Sequence, residues 1–173
     1  MAKKLPIITL PDRRLRKASE PVARVDDELR SLMEDMLETM YAAPGVGLAA
    51  VQVAVPIRLI VLDTAKDEAP PRPLAMVNPE IVKLGSEMRL HEEGCLSIPE
   101  VRVEIERPAS VTVRYTDREG KRQELSAEGL LATVIQHEID HLNGRLIIDY
   151  LSRLKRDIIV RKFKKQAKAE EPV

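Results

Sequence analysis

An α+β fold follows from three features of the sequence: small mixed or antiparallel sheets packed around a central helix, with one helix near each end. Helical periodicity is confined to stretches near residues 26–42, 128–142 and 152–168. The β-rich runs bunch between the first two helices and do not alternate with them, which excludes βαβ layering. A length of 173 residues, with neither repeat nor linker, suits a single domain spanning 1–173, of which 151–168 is a basic C-terminal helix.

Residues 1–24 read as an extended arm, punctuated by Pro6, Pro11 and Pro21. Leu29, Leu32, Met33, Met36, Leu37 and Met40 then fall at helical spacing. Asp26 and Asp27 suit the N-terminal dipole of that helix, and Ala43-Pro44-Gly45 ends it. The small-residue run from Gly45 to Ala50 lets backbone approach a neighbour closely. Residues 57–62 are β-rich, and 64–73, with charges and prolines, form a surface loop or hairpin tip. Residues 74–78 and 81–84 are two short strand candidates, whereas 92–99 read as polar and irregular. Val101, Val103 and Ile105 alternate with Arg102 and Glu104 as a half-buried strand. Residues 111–115 and 122–125 flank a turn at 117–120. Ser126 is placed to cap the second helix, which Asn143-Gly144 stops. In the last helix, Leu154, Ile158, Ile159 and Phe163 supply a packed stripe.

Composition excludes several functions. Lys+Arg and Asp+Glu are equal at 28 each, so net charge favours neither sequence-specific nucleic-acid binding nor a membrane surface. Aromatics make up 2% of the chain, too few for base-stacking platforms. The basic start at Met1-Ala2-Lys3-Lys4 leads into a run too short and Pro-broken for a signal-peptide core. A single cysteine, Cys95, leaves no internal disulfide, and the expectation is a cytoplasmic protein.

The chemistry concentrates in His137-Glu138-Ile139-Asp140-His141. Helical positions i and i+4 share a face, so both imidazoles can reach one metal ion. Glu138 projects beside that face and is suited to handling the proton of a metal-activated water. Catalytic sites of this kind take three protein ligands and keep one position open. Cys95 is the preferred third ligand, because thiolate binds such metals well. Glu93 stays open as a carboxylate ligand. His91, added to Cys95, His137 and His141, would instead close a four-ligand structural site.

Three segments, in order, resemble the bacterial-type peptide deformylase family. They are Gly45-Val46-Gly47-Leu48-Ala49-Ala50-Val51-Gln52, Glu93-Gly94-Cys95-Leu96-Ser97 and His137-Glu138-Ile139-Asp140-His141. Val51 departs from the family's usual Pro or Thr. The resemblance implies removal of the formyl group from formyl-methionyl nascent polypeptides, releasing formate. It implies a metal, typically Fe(II) with zinc, nickel or cobalt able to replace it, held by Cys95, His137 and His141. It also implies that Glu138 carries the proton, while Gln52 and the Leu96 N–H steady the oxyanion. Substrate would be met by Gly47 and Arg102, and a methionine pocket would be lined by Val46, Leu130, Thr133 and Val134. For Leu130 and Val134, plain core is an equal reading. Glu93 and Asp140 are the nearest acids able to orient the imidazoles, and a structural ion pair is an equal reading for Asp140. The basic C-terminal helix is by default a solvated face, and the resemblance implies that it docks on the ribosome. Two other functions compete: a small H-E-x-x-H metallopeptidase, and a metal-stabilised binding module without enzymatic activity.

Overall fold

The computed structural model describes residues 1–65 and 69–170. Residues 66–68, inside the expected surface loop, and 171–173 lie outside the described residues. Among the described residues three helices are joined by seven strands: α1 (Asp27–Ala42), β1 (Gly47–Ala49), β2 (Leu59–Leu62), β3 (Leu74–Leu84), β4 (Met88–Cys95), β5 (Ile98–Pro108), β6 (Ser110–Thr116), β7 (Arg122–Glu128), α2 (Gly129–Leu142) and α3 (Arg153–Glu170). This is the expected α+β architecture. Five strands form one antiparallel sheet in the order β1-β2-β3-β6-β7, and β4 with β5 forms a separate hairpin.

Each helix has a local cause. α1 starts where the Asp26 carboxylate accepts the Leu29 N–H at 2.9 Å, with Asp27 and Glu28 in the first turn. Its apolar stripe, Leu29, Met33, Met36, Leu37 and Met40, is buried against Leu59 and Val61 of β2. The alternate β2 residues, Ile60 and Leu62, face the other way into a core shared with Ile135, Ile139 and Leu142 of α2. β2 is thus covered on both faces, which is why it reads as an unbroken apolar run. Each fully buried side chain of this size contributes about 1.5–3 kcal/mol, so the second core fixes α2 on the sheet, while the first fixes α1 on its other face. A third core, with Ile98, Val103, Ile105, Ile147, Ile148 and Phe163, holds the hairpin against the root of α3.

Several local expectations are corrected. Residues 74–84 form one strand, not two. Pro79 falls where the β3–β6 register shifts, and Asn78 there takes φ 51° and exchanges hydrogen bonds with the Val22 backbone. Residues 92–99 are not irregular: Glu92 to Cys95 end β4, and only Leu96 and Ser97 turn before β5. Ser126 does not cap α2. It lies in β7 with its hydroxyl 3.2 Å from that of Thr112, and α2 begins after Glu128 without a side-chain cap. On α3 only Phe163 is buried, while Leu154 and Ile158 are exposed, so the packed stripe is narrower than the sequence suggests.

Gly144, with φ 75°, turns the chain out of α2; a β-carbon there would lie 2.4 Å from the Arg16 carbonyl oxygen. Only glycine allows that turn to close on the N-terminal arm.

Candidate metal centre

α2 is buried along nearly its whole length, and its inner face carries His137, Glu138 and His141. β4 lies across it with Arg89, His91, Glu93 and Cys95 on one strand face, at the period of two that a strand imposes. Strand and helix periods therefore meet at successive points. Arg89 donates to Thr133 Oγ1 at 2.9 Å, Glu93 Oε1 meets His137 Nδ1 at 2.9 Å, and Cys95 Sγ lies 3.3 Å from His141 Nε2. One donor atom each from Cys95, His137 and His141 lies within 4.8 Å of the others. His91 and Glu93 are outside that group. His91 Nδ1 is buried without a hydrogen-bond partner among the described residues. Both Glu93 oxygens are engaged: Arg107 Nε and Nη2 grip them at 2.6 and 2.9 Å, and His137 Nδ1 approaches Oε1.

Those contacts set the charge states. Burial tends to raise the Glu93 carboxyl, but the bonds from His137 and Arg107 outweigh it and hold the group below the usual carboxylate range. An ionised carboxylate only accepts, so His137 Nδ1 donates to Glu93 and leaves Nε2 as the nitrogen that would meet a metal. Burial also pushes His137 down, yet the Glu138 charge and the bonds to Cys95 and Glu93 lift it well above its ordinary value. The surroundings of His137 therefore favour positive charge on that ring. For His141, burial and then the neighbouring His137 and Arg107 charges push it well below, towards the neutral imidazole that ligates metals. Burial pushes the Glu138 carboxyl up to about 7, with Glu93 adding to the rise and His137 and Arg107 opposing it. Glu138 Oε1 is buried without a hydrogen-bond partner among the described residues, as is His141 Nδ1. A thiol, two imidazoles and an unsatisfied carboxylate oxygen fit a metal ion with an exchangeable water beside it.

Above this cluster opens a cavity of about 690 Å³. It is lined by Val46, Gly47, Gln52, Cys95, Leu96, Arg102, Leu130, Thr133, Val134, His137 and Glu138, so it gathers every expected site residue except His141, which lies beneath. Gly47 is needed for closeness: a β-carbon would sit 2.7 Å from Glu138 Oε2 and 2.8 Å from Val134 Cγ1. The Gln52 side chain is held at both ends. Its Oε1 accepts the Ala49 N–H at 2.9 Å, and its Nε2 donates to Ser97 Oγ at 3.0 Å, with Cys95 Sγ at 3.7 Å. Arg102 lies at the exposed rim, paired with Glu92 at 3.1 Å.

Sequence reasoning missed Arg107, 5% exposed, and Ser97. Arg107 carries a legible signal, because it occupies the inward phase after Val103 and Ile105 on β5. Of the two readings for Asp140 the structure shows the ion pair, with Arg107 at 2.9 Å.

Fold and site together define a metal-dependent hydrolase with a strand-borne thiolate and a helix-borne H-E-x-x-H pair. A family model described as polypeptide deformylase matches residues 4–157. A peptide deformylase of Mesorhizobium japonicum is 58% identical over 167 residues, covering 96% of this chain and 95% of that protein. The crystal structure of the Ehrlichia chaffeensis peptide deformylase in complex with actinonin superposes with a TM-score of 0.90 at 43% identity, covering 95% of this chain and 98% of that one. The Met-Ala-Ser-bound class I type b enzyme of Acinetobacter baumannii gives 0.81 at 36% identity, covering 87% and 100%. The chain belongs to the polypeptide deformylase family, and it is an enzyme, a hydrolase of protein biosynthesis.

Replacing Cys95 with alanine should strip the protein of stoichiometric metal, measured by elemental analysis after anaerobic purification. His91→Ala should keep it. Full metal content in Cys95→Ala would remove the thiolate from the ligand set.

Proposed function

We propose that this deformylase hydrolyses the N-terminal formyl group of formyl-methionyl nascent polypeptides through Cys95, His137 and His141 as metal ligands and Glu138 as proton carrier. The convergence of the three donor atoms within 4.8 Å, on the floor of a cavity large enough for a peptide terminus, carries the reading. Ligand chemistry admits Fe(II), the metal implied by the resemblance, and equally zinc, nickel or cobalt. When bound, the metal supplies Lewis acidity that brings the pKa of water to about 7.

The chain's own groups do the rest. Glu138, buried beside the ligands, takes a proton from the attacking water and gives it to the departing amine nitrogen. The carbon–nitrogen bond breaks, leaving formate and a free amino terminus. Gln52 Nε2, pinned from the other end of its amide, and the Leu96 N–H offer hydrogen bonds to the oxygen that gains charge; one such donor is worth about 10²–10³ in kcat. Ala49 and Ser97 fix the amide orientation before substrate arrives. The wall formed by Val46, Leu130, Thr133 and Val134 accepts an apolar side chain. Gly47, on β1, lets an extended peptide run alongside, and Arg102 stands at the rim to meet it further along. The Met-Ala-Ser peptide bound by the Acinetobacter baumannii relative supports this use of the cavity.

The whole chain, 1–173, acts as one catalytic domain. Among the described residues no helix is long and apolar enough to cross a membrane. Nascent chains as substrate favour a cytoplasmic enzyme. The exposed Arg and Lys residues of α3 support docking on ribosomal RNA phosphates. A chain ending at Tyr150 should then lose ribosome binding at moderate salt in a co-sedimentation assay, and undiminished binding would contradict docking through α3.

Anaerobically purified protein should release formate from a formyl-Met peptide. Glu138→Ala should keep its metal and lose about 10²–10⁴-fold in turnover. Metal-loaded protein that cuts internal peptide bonds and releases no formate would favour the metallopeptidase reading.

A further inference from the structure

The carboxylate that meets His137 is the inner end of a longer chain of contacts. Arg107 spends Nε and Nη2 on Glu93 and turns Nη1 the other way, to Asp140 Oδ2 at 2.9 Å and the Tyr150 hydroxyl at 3.1 Å. The Tyr150 hydroxyl in turn donates to the same Asp140 oxygen at 2.6 Å. Arg107, Asp140 and Tyr150 thus close a triangle. A guanidinium is rigid and planar, so fixing Nη1 in that triangle fixes the plane of the fork that grips Glu93.

The tyrosine is itself clamped. The Arg145 guanidinium carbon lies 4.1 Å from its ring centroid, and that of Arg107 lies 4.9 Å away. Arg145 is tied back to α2, where its backbone N–H donates to the Asp140 carbonyl at 2.9 Å. Mere packing at this corner would be met by an aliphatic side chain. A phenol aimed at a carboxylate and held between two cations determines the direction of a hydrogen bond.

We propose that Tyr150 and Arg145 are positioning residues of the metal centre. From the segment between α2 and α3 they hold the Arg107 fork, which holds Glu93, which fixes the ring plane and tautomer of His137. Neither residue is among the three ligand residues or the cavity lining. The inference rests on the three-ligand reading given above. It also ties the basic helix, which starts just beyond at Arg153, to the metal centre.

Cobalt(II) loaded anaerobically into the full chain is the probe. Tyr150→Phe removes the hydroxyl and keeps the clamped ring. Phe163→Leu loosens the buried anchor of α3, in the core against which the Tyr150 ring packs, and removes no hydrogen bond of the triangle. The readouts are the cobalt ligand-field spectrum, the rate at which a chelator strips the metal, and the thermal midpoint. Partners that orient a metal-ligating histidine are worth about 10–100-fold in metal affinity, and Tyr150 lies at the outer end of such a set. Tyr150→Phe should release cobalt about 10-fold faster with a shifted spectrum, and Phe163→Leu should lower the midpoint with wild-type release. Wild-type spectrum and release in Tyr150→Phe would overturn the inference, as would release rates that only follow the midpoints. Equal cobalt retention by wild type and Cys95→Ala would instead overturn the three-ligand reading, and this inference with it.

Discussion

A buried carboxylate must be paired, and the pairing of Glu93 with Arg107 is the constraint on which the site depends. Both side chains are about 5% exposed or less, and two hydrogen bonds join them. Breaking such a pair by removing one partner costs about 3–5 kcal/mol, because the remaining charge is stranded. The intact pair has a geometric result. The ionised Glu93 receives the His137 Nδ1–H, and the opposite nitrogen is left clear of that bond. β4 and β5 pair antiparallel, with Glu93 opposite Val103. The same hairpin therefore brings the thiolate of Cys95 and the cation that neutralises Glu93 to one face of α2.

The reactive space above the pair is made by close approach. β1 comes against α2 at Gly47, where no side chain would fit, and this sets Gln52 and Glu138 on facing walls of one cavity. Gln52 lies in a buried 3-10 turn after β1, and its amide is anchored before any ligand arrives. A hydrogen-bond donor fixed in advance needs no reorganisation when its acceptor arrives. Two apolar cores, one on each face of β2, hold this arrangement rigid, and the third ties the thiolate hairpin to the segment leading into α3.

Much of this was legible in the sequence, for identifiable reasons. α1 and α2 carry uninterrupted helical periodicity, and the H-E-x-x-H spacing placed both imidazoles and Glu138. β4 was not legible because its alternation is inverted. Met88 and Leu90 point outward and are 51% and 60% exposed, while Arg89, His91 and Glu93 point inward. A strand whose inner face serves a polar site does not announce itself by apolar alternation. The roles of Arg107 and Ser97 escaped notice for another reason: their partners, Glu93 and Gln52, are adjacent only in three dimensions. β3 read as two pieces because Pro79 falls inside it, at a point where the ladder is already interrupted.

The central claim is that one sulfur from β4 and two imidazole nitrogens from α2 hold the metal and leave a position open. X-ray absorption at the metal edge of the anaerobically purified protein reads that shell directly. The account predicts one sulfur scatterer, at about 2.3 Å if the metal is zinc, two imidazoles and a light-atom ligand that exchanges with solvent. A shell without sulfur, or one completed by a third imidazole from His91, would contradict it.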